Sequence, residues 1–183
     1  VEGYGLSPGE LWLHSIAVST TAEALAKNRK LPETSDVFTP ALLHDLGKLV
    51  LAEFVKAEQS KIEDLVAKGV PYVIAEKDVL KTDHAEIGAL ILSKWSFPDD
   101  LINAVRWHHY PEGHKNSNLH PEIVYIANLL CHSNDDNDSD DEQLNMPYSS
   151  VLERLSIEPE QYQVFAEKAG NWMQQLSDKL SFD

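Results

Sequence analysis

Thr39-Pro40-Ala41-Leu42-Leu43-His44-Asp45-Leu46-Gly47-Lys48-Leu49-Val50-Leu51 is the stretch whose reading decides the fold. Pro40 suits the start of a helix, where its missing N–H leaves nothing unsatisfied. The residues that follow leave His44, Asp45 and Lys48 as almost the only polar positions, and a helix apolar nearly all round is expected at the centre of its domain. Polar groups on an inward face are costly unless they are paired or coordinate a metal. Neighbouring residues on a helix point about 100° apart, so His44 and Asp45 can reach one ion only where it lies between helices. Gly47, beside them, lets another backbone or a ligand come close.

Working outward, the remaining segments also read as helices. Ser7-Pro8-Gly9-Glu10 carries a capping oxygen, a first-turn Pro and a carboxylate three residues after the cap. The helix it starts runs through Leu11, Trp12, His14, Ile16, Val18, Ala22, Leu25 and Ala26 and frays near Lys30 to Pro32. Glu10 is one turn from His14, but the capping box accounts for it. Ile62 to Lys68 is amphipathic and closed by Gly69, and Tyr72 to Leu80 forms another helix. Asp83, with Glu86 three residues on, caps a helix that holds His84 in its first turn. Pro98 opens a helix that ends on His108 and His109 before Pro111. Further helices are expected over Ile123 to Cys131, Tyr148 to Leu155 and Pro159 to Leu180. No segment alternates with the period of a strand. The expectation is an all-α helical bundle forming one domain over residues 1–183, with Cys131, Trp95, Trp107 and Trp172 in the core and His114, His120 and His132 solvated. Asp136, Asp138 and Asp140 alternate as in a calcium loop, but the sixth-position Gly and twelfth-position Glu are missing, so residues 135–142 read as a solvated acidic loop.

Composition bounds the function. A chain of 183 residues, 43% hydrophobic and 25% charged, can build its own core. The single cysteine fits a reducing compartment. No apolar run approaches the roughly 20 residues of a membrane span, and a soluble, cytoplasmic protein is expected. The 15 Lys and Arg against 30 Asp and Glu give a net charge of −15, which disfavours nucleic acid as a partner. An anionic ligand would need a local positive centre, such as a metal ion.

Four stations then fall in order along the chain. Leu43-His44-Asp45-Leu46-Gly47-Lys48 resembles the signature of the HD superfamily of metal-dependent phosphohydrolases. Leu11-Trp12-Leu13-His14-Ser15 resembles the opening motif of its HDOD branch, Asp83-His84-Ala85-Glu86-Ile87-Gly88 its middle motif, and Trp107-His108-His109-Tyr110-Pro111 its double-His motif. HDOD domains carry a helical region ahead of the first motif, where this sequence has about ten residues, so the chain is expected to be a fragment lacking that region.

The resemblance implies the helical fold of the HD domain and a regulatory role in bacterial signal transduction, through a signalling partner or an attached domain. It implies a site for one or two divalent transition metal ions, Fe, Mn, Zn or Ni, built from His14, His44, Asp45, His84, His108, His109 and Asn128. The alternative within the superfamily is a metal-dependent phosphohydrolase acting on a phosphodiester, a nucleotide or another phosphorylated small molecule. Asp45 would then serve at the ion, and Lys48 would steady phosphoryl oxygens or else simply offset Asp45. Two departures matter. HD hydrolases carry an Ala-Asp pair where this sequence has Ala127-Asn128, and an amide brings neither charge nor a base. The Gly-Tyr-Pro segment of the HD-GYP cyclic-di-GMP phosphodiesterases is also missing after His109, which disfavours that substrate.

Overall fold

The computed structural model describes residues 1–7, 9–29, 37–114, 119–132 and 149–180. These form helices α1 (Glu10–Arg29), α2 (Phe38–Leu43), α3 (Leu46–Ala57), α4 (Gln59–Val66), α5 (Tyr72–Leu80), α6 (His84–Lys94), α7 (Asp99–Arg106), α8 (His120–His132), α9 (Ser149–Leu155) and α10 (Pro159–Leu180). Short 3-10 turns cover Glu2–Tyr4 and Pro111–Gly113, and there is no strand among the described residues. The all-α architecture follows the sequence pattern. Four expected details lie outside the described residues: the Pro8 start signal, the fraying near Lys30 to Pro32, the acidic run 135–142 and the start of a helix at Tyr148.

The central helix is α8, not the segment around His44. Every residue from His120 to Cys131 is buried, because α1, α2, α7 and α10 all pack against it. Ile123, Val124, Ile126, Leu129 and Leu130 fill the main core with Ala17, Val18 and Leu25 of α1. Each such side chain contributes roughly 1.5–3 kcal/mol on burial. Two smaller clusters flank this core, one around Leu51, Val55 and Ile62 and one around Ala89, Leu92 and Val105. The two described caps behave as expected. Glu10 Oε2 accepts the Ser7 N–H at 2.6 Å, and Asp83 Oδ1 accepts the Glu86 N–H at 2.7 Å.

The segment expected as one helix through His44 and Asp45 is two. Its helical path breaks after Leu43 and resumes at Leu46, with Asp45 at φ −99° and ψ 10°. The break turns both side chains inward despite the divergence a continuous helix would impose. The outer face of α3 is not buried: Leu49, Val50 and Phe54 are 58%, 50% and 61% exposed.

Gly47 fixes where the break sits. A Cβ on it would stand 1.9 Å from the carbonyl oxygen of His84, and one on Gly88 would stand 3.1 Å from Val105 Cγ1. The start of α3 therefore crosses the start of α6 backbone to backbone, which sets Asp45 beside His84.

Other expectations are corrected. Trp95, at the end of α6, is 61% exposed, while Trp107 and Trp172 are only half-buried. His114 and His120 are buried rather than solvated, because one ends the turn that covers Trp107 and the other opens the enclosed helix α8. The same enclosure buries Glu122, which pairs with Arg154. His108 and His109 follow α7, which ends at Arg106.

Candidate metal centre

Five elements deliver the site: the second turn of α1 brings His14, the α2–α3 break brings His44 and Asp45, the first turn of α6 brings His84, the turn after α7 brings His108 and His109, and α8 brings Asn128. The donor atoms form two sets, His14 with His44 and Asp45, and His84 with His108 and His109, and within each set they lie within 4.8 Å of one another. Asp45 joins the two. Its Oδ2 faces His44 Nε2 at 3.4 Å and His14 Nε2 at 3.9 Å, while its Oδ1 faces His84 Nε2 at 3.4 Å and His108 Nε2 at 3.8 Å.

Three histidines have their tautomers fixed from outside the cluster. His44 Nδ1 is 2.7 Å from the carbonyl oxygen of Ala41, and His108 Nδ1 is 2.7 Å from that of Val105. A carbonyl can only accept, so each Nδ1 carries the proton and each Nε2 is a bare lone pair. His84 Nδ1 donates to Glu76 Oε2 at 2.7 Å, and its Nε2 lies 2.8 Å from His109 Nε2. These lone pairs converge on an anionic carboxylate. His44 Nε2 and His108 Nε2 are buried with no hydrogen-bond partner. Acceptors facing acceptors in a buried site are unfavourable unless something positive sits among them. Ligands each about 2.0–2.1 Å from a zinc-like ion would lie roughly 3 Å apart, close to the spacings seen. The residues therefore fit a divalent metal.

Electrostatics keep the set in its ligating form. Burial, helped by His132 and His44, pushes His14 well below the ordinary imidazole range. Burial likewise lowers His44, His108 and His109, with neighbouring imidazoles adding to it at His108 and His109. Neutral imidazole is the form that binds metal. Burial alone would raise Asp45, but His44 and Lys48 outweigh it and hold its carboxyl well below the usual range. Lys48 Nζ lies 3.0 Å from Asp45 Oδ2, which realises the offsetting role, and 5.7 Å from the centroid of the Tyr4 ring.

Asn128 does not act as a carboxylate would. Its Oδ1 is 2.9 Å from His14 Nε2, and the contact is a neutral one.

Glu76, absent from the sequence expectations, proves central. Fully buried on α5, it accepts the backbone N–H of His84 at 3.0 Å in addition to the ring proton, and the Tyr4 hydroxyl. Burial would raise its carboxyl, yet these hydrogen bonds, those from His84 first, bring it below the ordinary value. A signal existed: Glu76 shares the apolar face of its helix with Tyr72, Val73, Val79 and Leu80. Tyr4, in a 3-10 turn, offered none. His132, expected in solvent, stands with its ring centroid 4.5 Å from that of His14.

Comparison with known proteins identifies the family of the chain. The family model of the HDOD domain matches residues 2–111. The chain belongs to the HDOD domain family. The matched stretch contains His14, His44, Asp45, His84, His108 and His109, and ends before Asn128. Among solved structures, this HDOD chain is similar to a protein from Shewanella amazonensis SB2B assigned as a phosphohydrolase (TM-score 0.71, 21% identity, covering 97% of this chain and 65% of that one). It is also similar to an HDOD domain protein of unknown function from Geobacter sulfurreducens (TM-score 0.64, 22% identity, 96% and 59% covered). A third similar structure, from Marinobacter aquaeolei VT8, is assigned to signal transduction (TM-score 0.74, 18% identity, 93% and 38% covered). These likenesses concern the fold. Ribonuclease Y of Mycoplasmoides gallisepticum is 29% identical over 119 residues, 64% of this chain and 18% of its own length. An uncharacterized protein of Treponema pallidum is 28% identical over 102 residues, 55% and 20% of the two chains. The chain thus spans about a fifth of these curated relatives. No helix among the described residues is long and apolar enough to cross a membrane.

Proposed function

We propose that this chain is a metal-holding regulatory module, in which His14, His44, Asp45, His84, His108, His109 and Asn128 secure one or two divalent ions and the ligand state of that centre is relayed to an attached domain or a signalling partner. One observation carries the preference for regulation over hydrolysis: Asn128 meets His14 through a neutral contact at 2.9 Å where an HD hydrolase would bring a carboxylate. The remaining carboxylates nearby are committed. Asp45 is ion-paired with Lys48, and Glu76 is held by three donors from His84 and Tyr4. Neither is available to take a proton from an attacking water.

A divalent ion at this centre would supply positive charge that polarises a bound water or an anion. Asp45, with one oxygen turned toward each donor set, is suited to joining two ions. Among the described residues only Asp45 brings a carboxylate to that charge, so the centre favours an anionic ligand although the protein as a whole carries −15. A phosphorylated small molecule fits that requirement.

The second reading is a metal-dependent phosphohydrolase. What favours it is the Lys48 ammonium, 3.0 Å from Asp45 Oδ2 with its side chain still 11% exposed, a placement from which it could also steady phosphoryl oxygens. The test is to assay protein loaded with Mn or Fe on generic phosphodiesters and nucleotides beside the double variant His44→Ala, Asp45→Ala. The expected result is binding of metal without turnover. Metal-dependent turnover that the double variant loses would overturn the regulatory reading in favour of the enzyme.

A further inference from the structure

Tyr4 belongs to neither donor set, yet it is tied to both. Its hydroxyl donates to Glu76, the carboxylate that fixes His84. The Lys48 ammonium, paired with Asp45, lies 5.7 Å from the centroid of its ring, and the ring meets that of His84 edge-on with centroids 6.3 Å apart. The backbone holds Tyr4 in this place. It ends the 3-10 turn Glu2–Tyr4, which lies so close on α3 that a Cβ on Gly3 would stand 2.1 Å from the carbonyl oxygen of Ala52.

Tyr4 also lines a cavity of about 340 Å3 between this turn and helices α3, α4 and α5. Small-molecule sites span roughly 300–1,000 Å3, so the cavity suits a ligand of modest size. The buried side chains of Val55 and Ile62 give it an apolar floor, and the Tyr72 ring stands with its centroid 5.7 Å from that of Tyr4. Glu63 is the one charged residue in the lining. It is exposed at the rim, where its Oε1 accepts from Gln59 Nε2 at 2.7 Å.

We propose that this cavity binds an aromatic amine, with the ring against Tyr4 and Tyr72 and the ammonium toward Glu63, and that Tyr4 couples its occupancy to the metal centre. Aromatic faces accept a second ring in offset or edge-on contact and attract cations. The net charge of −15 adds to this by drawing cations and repelling anions. A ligand packed on the Tyr4 ring restrains the hydroxyl that helps hold Glu76 in place for His84, so less ordering is left for the ion to impose. Occupancy of the cavity therefore tightens metal binding, and by reciprocity the ion tightens binding of the amine. The cavity stands on its own lining, whereas its coupling to the ion rests on the metal-centre reading.

Isotope-labelled protein is titrated with phenethylamine and, separately, with hydrocinnamate, which carries the same ring and a chain of similar length ending in a carboxylate. Backbone amide shifts in the NMR spectrum report both place and affinity. Phenethylamine should give saturable shifts at Gly3, Gly5, Ile62 and Val66 with a Kd of about 1 mM or tighter, and hydrocinnamate should bind more weakly. Glu63→Gln, at an exposed position, should weaken the amine by up to about fivefold and narrow its lead over the anion. Loading with Zn2+ should tighten phenethylamine about fivefold or more. Tyr4→Phe keeps the ring and removes the hydroxyl, so it should bind the amine but lose this dependence on Zn2+. Absence of shifts at the cavity in wild type, or equal binding of hydrocinnamate, would overturn the amine site. Phenethylamine binding that ignores Zn2+ in wild type, or responds to it equally in Tyr4→Phe, would overturn the coupling alone. Failure of wild type to take up Zn2+ would overturn the metal-centre reading and the coupling with it, while the shifts in metal-free protein would still decide the cavity.

Discussion

Glu76 holds His84 at two points, accepting its ring Nδ1 proton at 2.7 Å and its backbone N–H at 3.0 Å. The first bond fixes the tautomer that turns Nε2 toward Asp45, and the second fixes the start of α6. Replacing the carboxylate by an amide in Glu76→Gln removes the charge that makes the ring more basic and leaves one buried oxygen to serve both donors. Metal affinity is expected to fall about 10- to 100-fold, with the helical circular dichroism unchanged. Chelator competition measures it. Wild-type affinity in the variant would show that His84 is oriented by packing alone. Tyr4→Phe removes only the third donor to Glu76 and should weaken binding less.

The two glycines at the α3–α6 crossing separate backbone constraint from side-chain constraint. In Gly47→Ala the new methyl would meet the His84 carbonyl at 1.9 Å, so the helices must part. In Gly88→Ala the nearest atom is Val105 Cγ1 at 3.1 Å, a side-chain methyl that can shift. Overpacking costs about 1–3 kcal/mol. Gly47→Ala belongs at or above the top of that range and Gly88→Ala near the bottom, as read from urea midpoints. Gly47→Ala should also lose metal affinity, because its displacement moves Asp45 away from His84. Equal destabilisation by the two substitutions would contradict this account of the crossing.

What the sequence made legible follows from the kind of signal each residue leaves. His44, Asp45, His84, His108 and His109 stood out because polar groups interrupt apolar or capped helices, and that anomaly survives without knowledge of the tertiary fold. The break at Asp45 left no trace. Leu46 to Leu51 continue the apolar run, and only the approach of Gly47 to the α6 backbone, a contact between residues far apart in sequence, shows why the helix must stop. For the same reason His132 was misread. Its neighbours in sequence are polar, while its neighbour in space, His14, is more than a hundred residues away. Trp95 erred in the opposite direction, since aromatic character favours burial but this ring, just past the end of α6, is 61% exposed.

Acid should unfold this protein in two stages. His14, His44, His108, His109 and His114 all sit below the ordinary imidazole value of 6.5, each chiefly because of burial. In the unfolded chain they take up protons near that value and in the folded protein only at lower pH, so the unfolded state binds more protons in between. Their stabilisation is complete above pH 6.5 and is lost as pH falls below it. Asp45 and Glu76, also lowered, add stability that is complete above the ordinary carboxylate range and lost as pH drops through it. Urea midpoints of metal-free protein should fall from pH 7 to pH 5 and again below about pH 4. A midpoint that is flat between pH 7 and pH 5 would mean that these imidazoles are not held neutral by the fold.

Metal removal should be visible as lost thermal stability. An ion that binds only the native state stabilises by mass action, about 2.7 kcal/mol when its free concentration is 100 times Kd. For a domain of 150–250 residues each kcal/mol moves Tm by about 2–4 °C, so the two relations together give a fall of roughly 5–11 °C on stripping. The His44→Ala, Asp45→Ala double variant supplies the contrast. It loses a ligand from one donor set and the carboxylate that joins both, so added Zn2+ should leave its Tm within about 1 °C while raising that of stripped wild type. Scanning calorimetry with and without Zn2+ reads both proteins. Equal shifts in the two would place the stabilising ion elsewhere on this acidic surface, and the converging lone pairs of His44 and His108 would need another explanation.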